Sequence, residues 1–345
     1  MDNHYTIVFG IFVKINHDKS KFLNFDTKKT NHTIKSSKKI FGKIIMTIYM
    51  TSDLHVDHWF KTNQRNEDVK ALSEACLDAS YHYINHRVSL ENYINNALKP
   101  ADVLCVAGDT CDNPHLFVEF YKAVSPRYKK IFVVFGNHDL TVHNESYFRN
   151  NPFTETQAKL DFLKAEVSKL GNVSILDGTV EEFEGVKFGG TMAFNDFCWA
   201  YKVEPEPEGD MAKFLRYWKR WFDYRHWEYM GNIHKDILAS QMKKLDYVVS
   251  QKPDIILTHY IPLFFGVEKI YEHDVYTTFF YFNGQKYLDQ LKDKSIWLAG
   301  HTHSVRTNNL AQSNGRIIHL KLNPVGYPDE DTGNAERMDE FLIKR

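Results

Sequence analysis

The chain has 345 residues, 43% of them apolar and 25% charged, with a formal net charge of −1. These proportions are ordinary for a globular protein, and the charge gives no overall electrostatic case for nucleic-acid or membrane binding. No apolar run reaches the roughly 20 residues that span a bilayer. The four cysteines, Cys76, Cys105, Cys111 and Cys198, form no C-x-x-C pair, which argues against a zinc knuckle and fits reduced thiols in a cytoplasmic protein.

Residues 1–45 hold nine Lys and three Asp without Arg or Glu, a net +6 that leaves −7 for the remainder. The segment reads as a poorly ordered basic N-terminal extension, with the apolar stretch Tyr5–Ile15 packed on the surface. That stretch lacks the charged start and cleavage site of a secretory signal. Met46, just ahead of the first clear strand, is a candidate start, and residues 46–345 are expected to form one domain.

From Met46 onward, strands and helices alternate. Strand-length apolar runs occur at Thr47–Thr51, Val103–Ala107, Ile131–Phe135, Val186–Met192, Ile255–Thr258, Ile296–Ala299 and Ile317–Leu322. Their Val, Ile and Phe content suits strands buried on both faces. Helical patterns cover Val69–Leu98, ended by Pro100, and Thr154–Leu170, stopped by Gly171. This alternation predicts an α/β architecture.

Residues 195–250 interrupt the pattern as a helical, aromatic-rich insertion or cap. Asp210 is placed to cap a helix in which Phe214, Tyr217, Trp218, Trp221 and Phe222 recur at helical spacing between Lys213, Arg216, Lys219 and Arg220. Either the rings pack on the body, or rings and cations face a phosphate-bearing substrate.

The chemistry gathers after the strands. The first strand is followed by Asp53 and His55 (TSDLH), the second by Asp109 and Asp112 (VAGDTCDN) and the third by Asn137, His138 and Asp139 (VFGNHD). Later strands deliver His259 (LTHY) and then His301 and His303 (AGHTH). Each fragment alone is weak: Gly136 and Asn137 suit a tight turn, and a lone His259 suits a satisfied core histidine. Five fragments on one strand edge, where α/β sheets build sites, are a stronger signal. No G-x-S-x-G, H-E-x-x-H or P-loop sequence is present to suggest another chemistry.

In this order the fragments DLH, GDTCD, GNHD, TH and GHTH resemble the signature of the calcineurin-like metallophosphoesterases, from about Met46 to the C-terminus. GGTMAFND (Gly189–Asp196) and NPVGYPDE (Asn323–Glu330) are similar to stretches of stand-alone microbial and phage-type members. The resemblance implies a four-layer α-β-β-α sandwich of two mixed sheets, with a dinuclear metal site at the strand C-terminal ends. It implies that Asp53, His55 and His303 hold one metal, that Asn137, His259 and His301 hold the other, and that Asp109 bridges them. His138 would be the general acid, oriented by Asp112, with Asp139 as further support. The reaction implied is hydrolysis of a phosphomonoester or phosphodiester by a metal-bridging hydroxide. The nitrogen and oxygen donors suit Mn²⁺, Fe or Zn²⁺.

Protein phosphatases of that superfamily carry Arg where this chain has Asn113, and usually Glu where it has Asp139. These departures weigh against a protein phosphatase and toward phosphodiesterase-like or small-molecule members, with a small phosphate ester, nucleotides included, as the substrate. Arg149, Arg216, Arg220 and Arg306 are alternative phosphate clamps. A nuclease would need a basic groove that a net −7 does not offer, and a non-catalytic scaffold would be expected to have lost ligands or His138.

Overall fold

In Val103–Ala107 every residue is buried, and alternate side chains enter two different cores. Such a strand needs cover on both faces, and the whole architecture supplies it. The computed structural model describes residues 6–7, 39–40, 43–61, 83–142, 152–207, 211–229, 233–265, 267–328, 330 and 340–344. Most of the 1–45 extension, Val69–His82, Arg149 and the Asp210 cap lie outside the described residues.

Strands are numbered in chain order. The first sheet holds β1 (Thr6–Ile7), β2 (Lys39–Ile40), β3 (Lys43–Thr51), β4 (Val103–Ala107), β5 (Lys130–Val134) and β6 (Val173–Ile175). The second holds β7 (Thr179–Phe183), β8 (Val186–Gly190), β9 (Ile255–Leu257), β10 (Ile296–Ala299), β11 (Arg306–Ala311) and β12 (Ile317–Leu322). The last strand, β13 (Glu340–Lys344), returns to the first sheet.

In the first sheet β3, β4, β5 and β6 run parallel, and β13 joins β3 antiparallel. In the second, β8, β9, β10 and β12 are parallel, with β7 and β11 antiparallel at the edges. All seven expected strands are present. Those missed have reasons: β11 alternates half-buried and exposed polar residues (RTNNLA), and β6 and β7 are short or mostly uncovered.

Between the sheets lies a core of Met46, Ile48, Met50, Cys105, Phe132 and Val134 facing Phe188, Ile255, Leu257, Ile296 and Leu298. Phe132 stacks on Phe188 across the gap at 4.2 Å. The outer face of the first sheet packs on helices Tyr83–Ala97, Pro114–Val124 and Thr156–Ser168. The outer face of the second packs on helices Ile233–Ser250 and Gln285–Leu288. The result is an α-β-β-α sandwich. No helix among the described residues is long and apolar enough to cross a membrane.

Asp177 ties the two helical layers together, accepting Lys164 from one and Lys244 from the other, each at 2.6 Å. Burial would raise its carboxyl, but the two lysines hold it below the ordinary carboxylate range. A depressed carboxylate stabilises the fold above its unfolded pKa of about 3.9, and that contribution is lost as pH falls through the folded value. Denaturant midpoints of wild type and Asp177→Asn should differ at pH 7 and converge under strong acid. Equal midpoints at pH 7 would remove this clamp from the account.

Candidate active site

Parallel strands put their C-terminal ends on one edge, so the loops after β3, β4 and β5 are neighbours, as are those after β9 and β10. Backbone bonds knit the loops together: Asp53 N donates to Gly108 O at 3.0 Å, His55 N to Asp109 O at 3.1 Å and Gly300 N to His259 O at 3.0 Å. Asp53 spans the two sheets, its Oδ1 accepting His301 N at 2.8 Å.

Asp53, His55, Asp109, His301 and His303 all have positive φ, between 41° and 76°. A non-glycine residue there costs roughly 1–2 kcal/mol, and such strain concentrates where surrounding structure dictates side-chain direction. Gly136, read from the sequence as a turn residue, has no positive φ, and Asn137 has right-handed φ and ψ of −65° and −33°. The glycine is needed for close approach instead, because a Cβ there would land on the Asp109 carboxylate.

Asp139 locks this arrangement. Its Oδ2 accepts Asp109 N and Gly136 N, and its Oδ1 accepts Thr110 N and Cys111 N, at 2.8–3.1 Å.

The ligand atoms of Asp53, His55 and His303 lie within 4.8 Å of one another, as do those of Asp109, His259 and His301. Asp109 stands between the two sets, with Oδ2 at 3.8 Å from His55 Nε2 and 3.3 Å from His259 Nε2. Asn137 joins the second set, its Oδ1 at 2.8 Å from His259 Nε2. The second set is buried, whereas His303 in the first is partly exposed.

Outer partners fix the imidazoles. His259 Nδ1 meets Ala107 O at 2.9 Å, His301 Nε2 meets Phe279 O at 3.1 Å, and His303 Nδ1 meets Glu330 Oε2 at 2.6 Å. His138 Nδ1 lies 2.8 Å from Asp112 Oδ1, and its Nε2 lies 3.3 Å from the Tyr327 hydroxyl.

The electrostatics follow from burial. Desolvation lowers His55 and His301 well below the ordinary imidazole range. Burial would raise Asp109, but His259, His138 and His55 hold it well below the ordinary carboxylate range. Burial would likewise lower His138, yet Asp112 and Asp109 raise it to about 10.

These residues fit metal ions. The donors are imidazole, carboxylate and one amide oxygen, with no thiolate. His259 Nδ1 donates to Ala107 O, so a neutral ring carries its lone pair on Nε2, and that nitrogen faces Asn137 Oδ1 at 2.8 Å and Asp109 Oδ2 at 3.3 Å. His55 Nδ1 is buried with no hydrogen-bond partner. Acceptors turned toward acceptors call for a cation among them.

The calcineurin-like phosphoesterase family pattern matches residues 46–305. The chain belongs to that family. A protein of Acanthamoeba polyphaga mimivirus is 25% identical to the phosphoesterase over 241 residues, covering 62% of this chain and 78% of that protein. The solved phosphopantetheinyl hydrolase of Mycobacterium tuberculosis shares its fold at TM-score 0.57 and 16% identity, over 82% of this chain and 90% of the other.

Several neighbours of the site carry no local sequence signal. Asp223 Oδ1 accepts Asn137 Nδ2 at 2.9 Å. Fully buried Lys159 donates to Asp112 O and Thr141 O, each at 2.7 Å. Tyr327, within the NPVGYPDE stretch, stacks on His55 at 4.3 Å.

The aromatic segment of the phosphoesterase mostly serves the core. Phe214 and Trp218 are buried, and Trp218 packs among Phe194, Trp227 and Phe279. Lys213 pairs with Glu204 and Glu206 at 2.9 and 2.7 Å. Arg216 and Arg220 are exposed, and Arg306 faces Glu268 at 3.9 Å.

Asp139→Ala would leave four buried amides without their acceptor, at a cost of about 1–3 kcal/mol for each unsatisfied donor. Denaturant unfolding should show a loss above about 3 kcal/mol. A loss under about 1 kcal/mol would mean that the loops hold without it.

Proposed function

We propose that this chain is a dinuclear metal-dependent phosphoesterase acting on a small phosphomonoester or phosphodiester. The observation that carries this reading is the position of Asp109, between two sets of nitrogen and oxygen donors and beside the His138–Asp112 pair. Asp53, His55 and His303 would hold one ion, and Asn137, His259 and His301 the other, with Asp109 shared. Mn²⁺, Fe and Zn²⁺ suit this donor set. When bound, two such cations activate a shared water and neutralise charge developing on phosphorus.

The protein's own contribution begins with His138. Its main-chain N–H donates to Asp109 Oδ1 at 2.9 Å, which fixes the ring beside the shared carboxylate. Asp112 holds Nδ1, so Nε2, 3.3 Å from the Tyr327 hydroxyl, would carry the proton for the departing oxygen. Phe222 stacks on the His138 ring at 4.7 Å and limits its rotation.

A small substrate is favoured over a phosphoprotein. Where protein phosphatases place Arg, Asn113 caps the helix Pro114–Val124, its Oδ1 accepting His115 N and Leu116 N at 2.9 and 3.0 Å. That side chain is committed to the fold rather than to phosphate.

Metal-stripped protein should hydrolyse neither p-nitrophenyl phosphate nor bis-p-nitrophenyl phosphate, and added Mn²⁺ should restore one or both. Activity that survives chelation would end the proposal. His138→Gln should retain wild-type metal content while kcat falls about 10²–10⁴-fold. The fall should be larger for alkyl than for p-nitrophenyl leaving groups, since only a poor leaving group depends on the acid. An equal fall for both would take the acid role from His138.

A further inference from the structure

Asp223 lies outside the strand-end loops, in the short helix Phe222–His226 of the aromatic-rich segment, and is fully buried. Both of its oxygens are used. Oδ1 accepts Asn137 Nδ2 at 2.9 Å, and Oδ2 accepts the Tyr260 hydroxyl at 3.2 Å. Asn137 and His259, the residue before Tyr260, both belong to the second donor set.

A primary amide has a donor end and an acceptor end. With Nδ2 fixed on a carboxylate, Oδ1 must point the other way, and it lies 2.8 Å from His259 Nε2. Only that orientation offers an oxygen to a cation; the flipped amide would offer N–H. A carboxylate has no hydrogen to give, so Asp223 accepts one orientation and rejects the other. The same helical turn grips Asn137 again through its main chain, Trp227 Nε1 donating to Asn137 O at 2.8 Å. The first donor set takes its outer bonds elsewhere, Asp53 from Ser52 at 2.5 Å and His303 from Glu330 at 2.6 Å.

We propose that Asp223 is a positioning residue that sets the Asn137 amide, so that the Phe222–Trp227 turn governs loading of the second ion and leaves the first alone. The inference rests on the two-ion reading above. Asparagine at 223 would keep the shape and lose the discrimination, because an amide facing an amide can pair in either orientation. Exchanging the two residues, in Asn137→Asp with Asp223→Asn, restores it: the carboxylate at 137 accepts from the new amide and still presents an oxygen to the ion.

The test is calorimetric titration of metal-stripped, full-length protein with Mn²⁺. Wild type should show two binding steps. In Asp223→Asn one of the two steps should lose about 10–100-fold in affinity with the other unchanged, and the exchanged double variant should recover it. Two unchanged steps in Asp223→Asn, or equal weakening of both, would overturn the assignment. Should Asp223→Asn fail to fold, the double variant decides alone: two-ion binding supports the assignment and one-ion binding overturns it. A wild-type isotherm that ends at one ion removes the two-ion reading, and this inference with it.

Discussion

A buried carboxylate without a countercharge is among the costliest groups a fold can hold, and the strand-end edge of this protein is arranged around one. Asp109 is almost wholly buried at the end of β4, in a left-handed backbone conformation. Gly136 leaves the space that its side chain occupies, and Asp139 accepts its main-chain amide. One oxygen accepts His138 N, and the other faces His55 and His259. Imidazoles on two sides thus share one negative charge. A proton answers that demand at His259, where burial would lower the imidazole but Asp109 raises it to about 9. A metal ion in each donor set would answer it more completely.

The two sheets make this convergence possible. Parallel pairing brings the ends of β3, β4 and β5 together, and the inter-sheet core built around Phe132 and Phe188 brings those of β9 and β10 against them. The bond from His301 N to Asp53 then closes the seam between sheets. Precision at the site depends on how rigidly these layers are held, so local strain at five donor residues is tolerated where extensive backbone bonding fixes them.

Much of this was legible in the sequence because both signals are local. Strands buried on both faces appear as uninterrupted apolar runs, which is why Val103–Ala107 and Ile296–Ala299 were bounded as observed, and Ile317–Leu322 was bounded too although His319 and Lys321 interrupt its apolar residues. The donors follow those runs directly, so their order along the chain mirrored their convergence. Asp223 and Lys159 were invisible for the opposite reason. Each reaches the site from an element far away in sequence, and nothing beside Asp223 in a run of aromatic residues distinguishes it from a solvated acid. The aromatic spacing left open whether its rings pack on the body or face a substrate; Phe214 and Trp218 are buried, and the spacing gave no sign that the next turn also touches Asn137.

The central claim is that one carboxylate stands between two cations. Anomalous diffraction from a crystal soaked in Mn²⁺ tests it most directly. The account expects two peaks about 3.5–4 Å apart, one beside Asp53, His55 and His303, the other beside Asn137, His259 and His301, with Asp109 touching both. A single peak, or peaks that leave Asp109 without a metal neighbour, would contradict it.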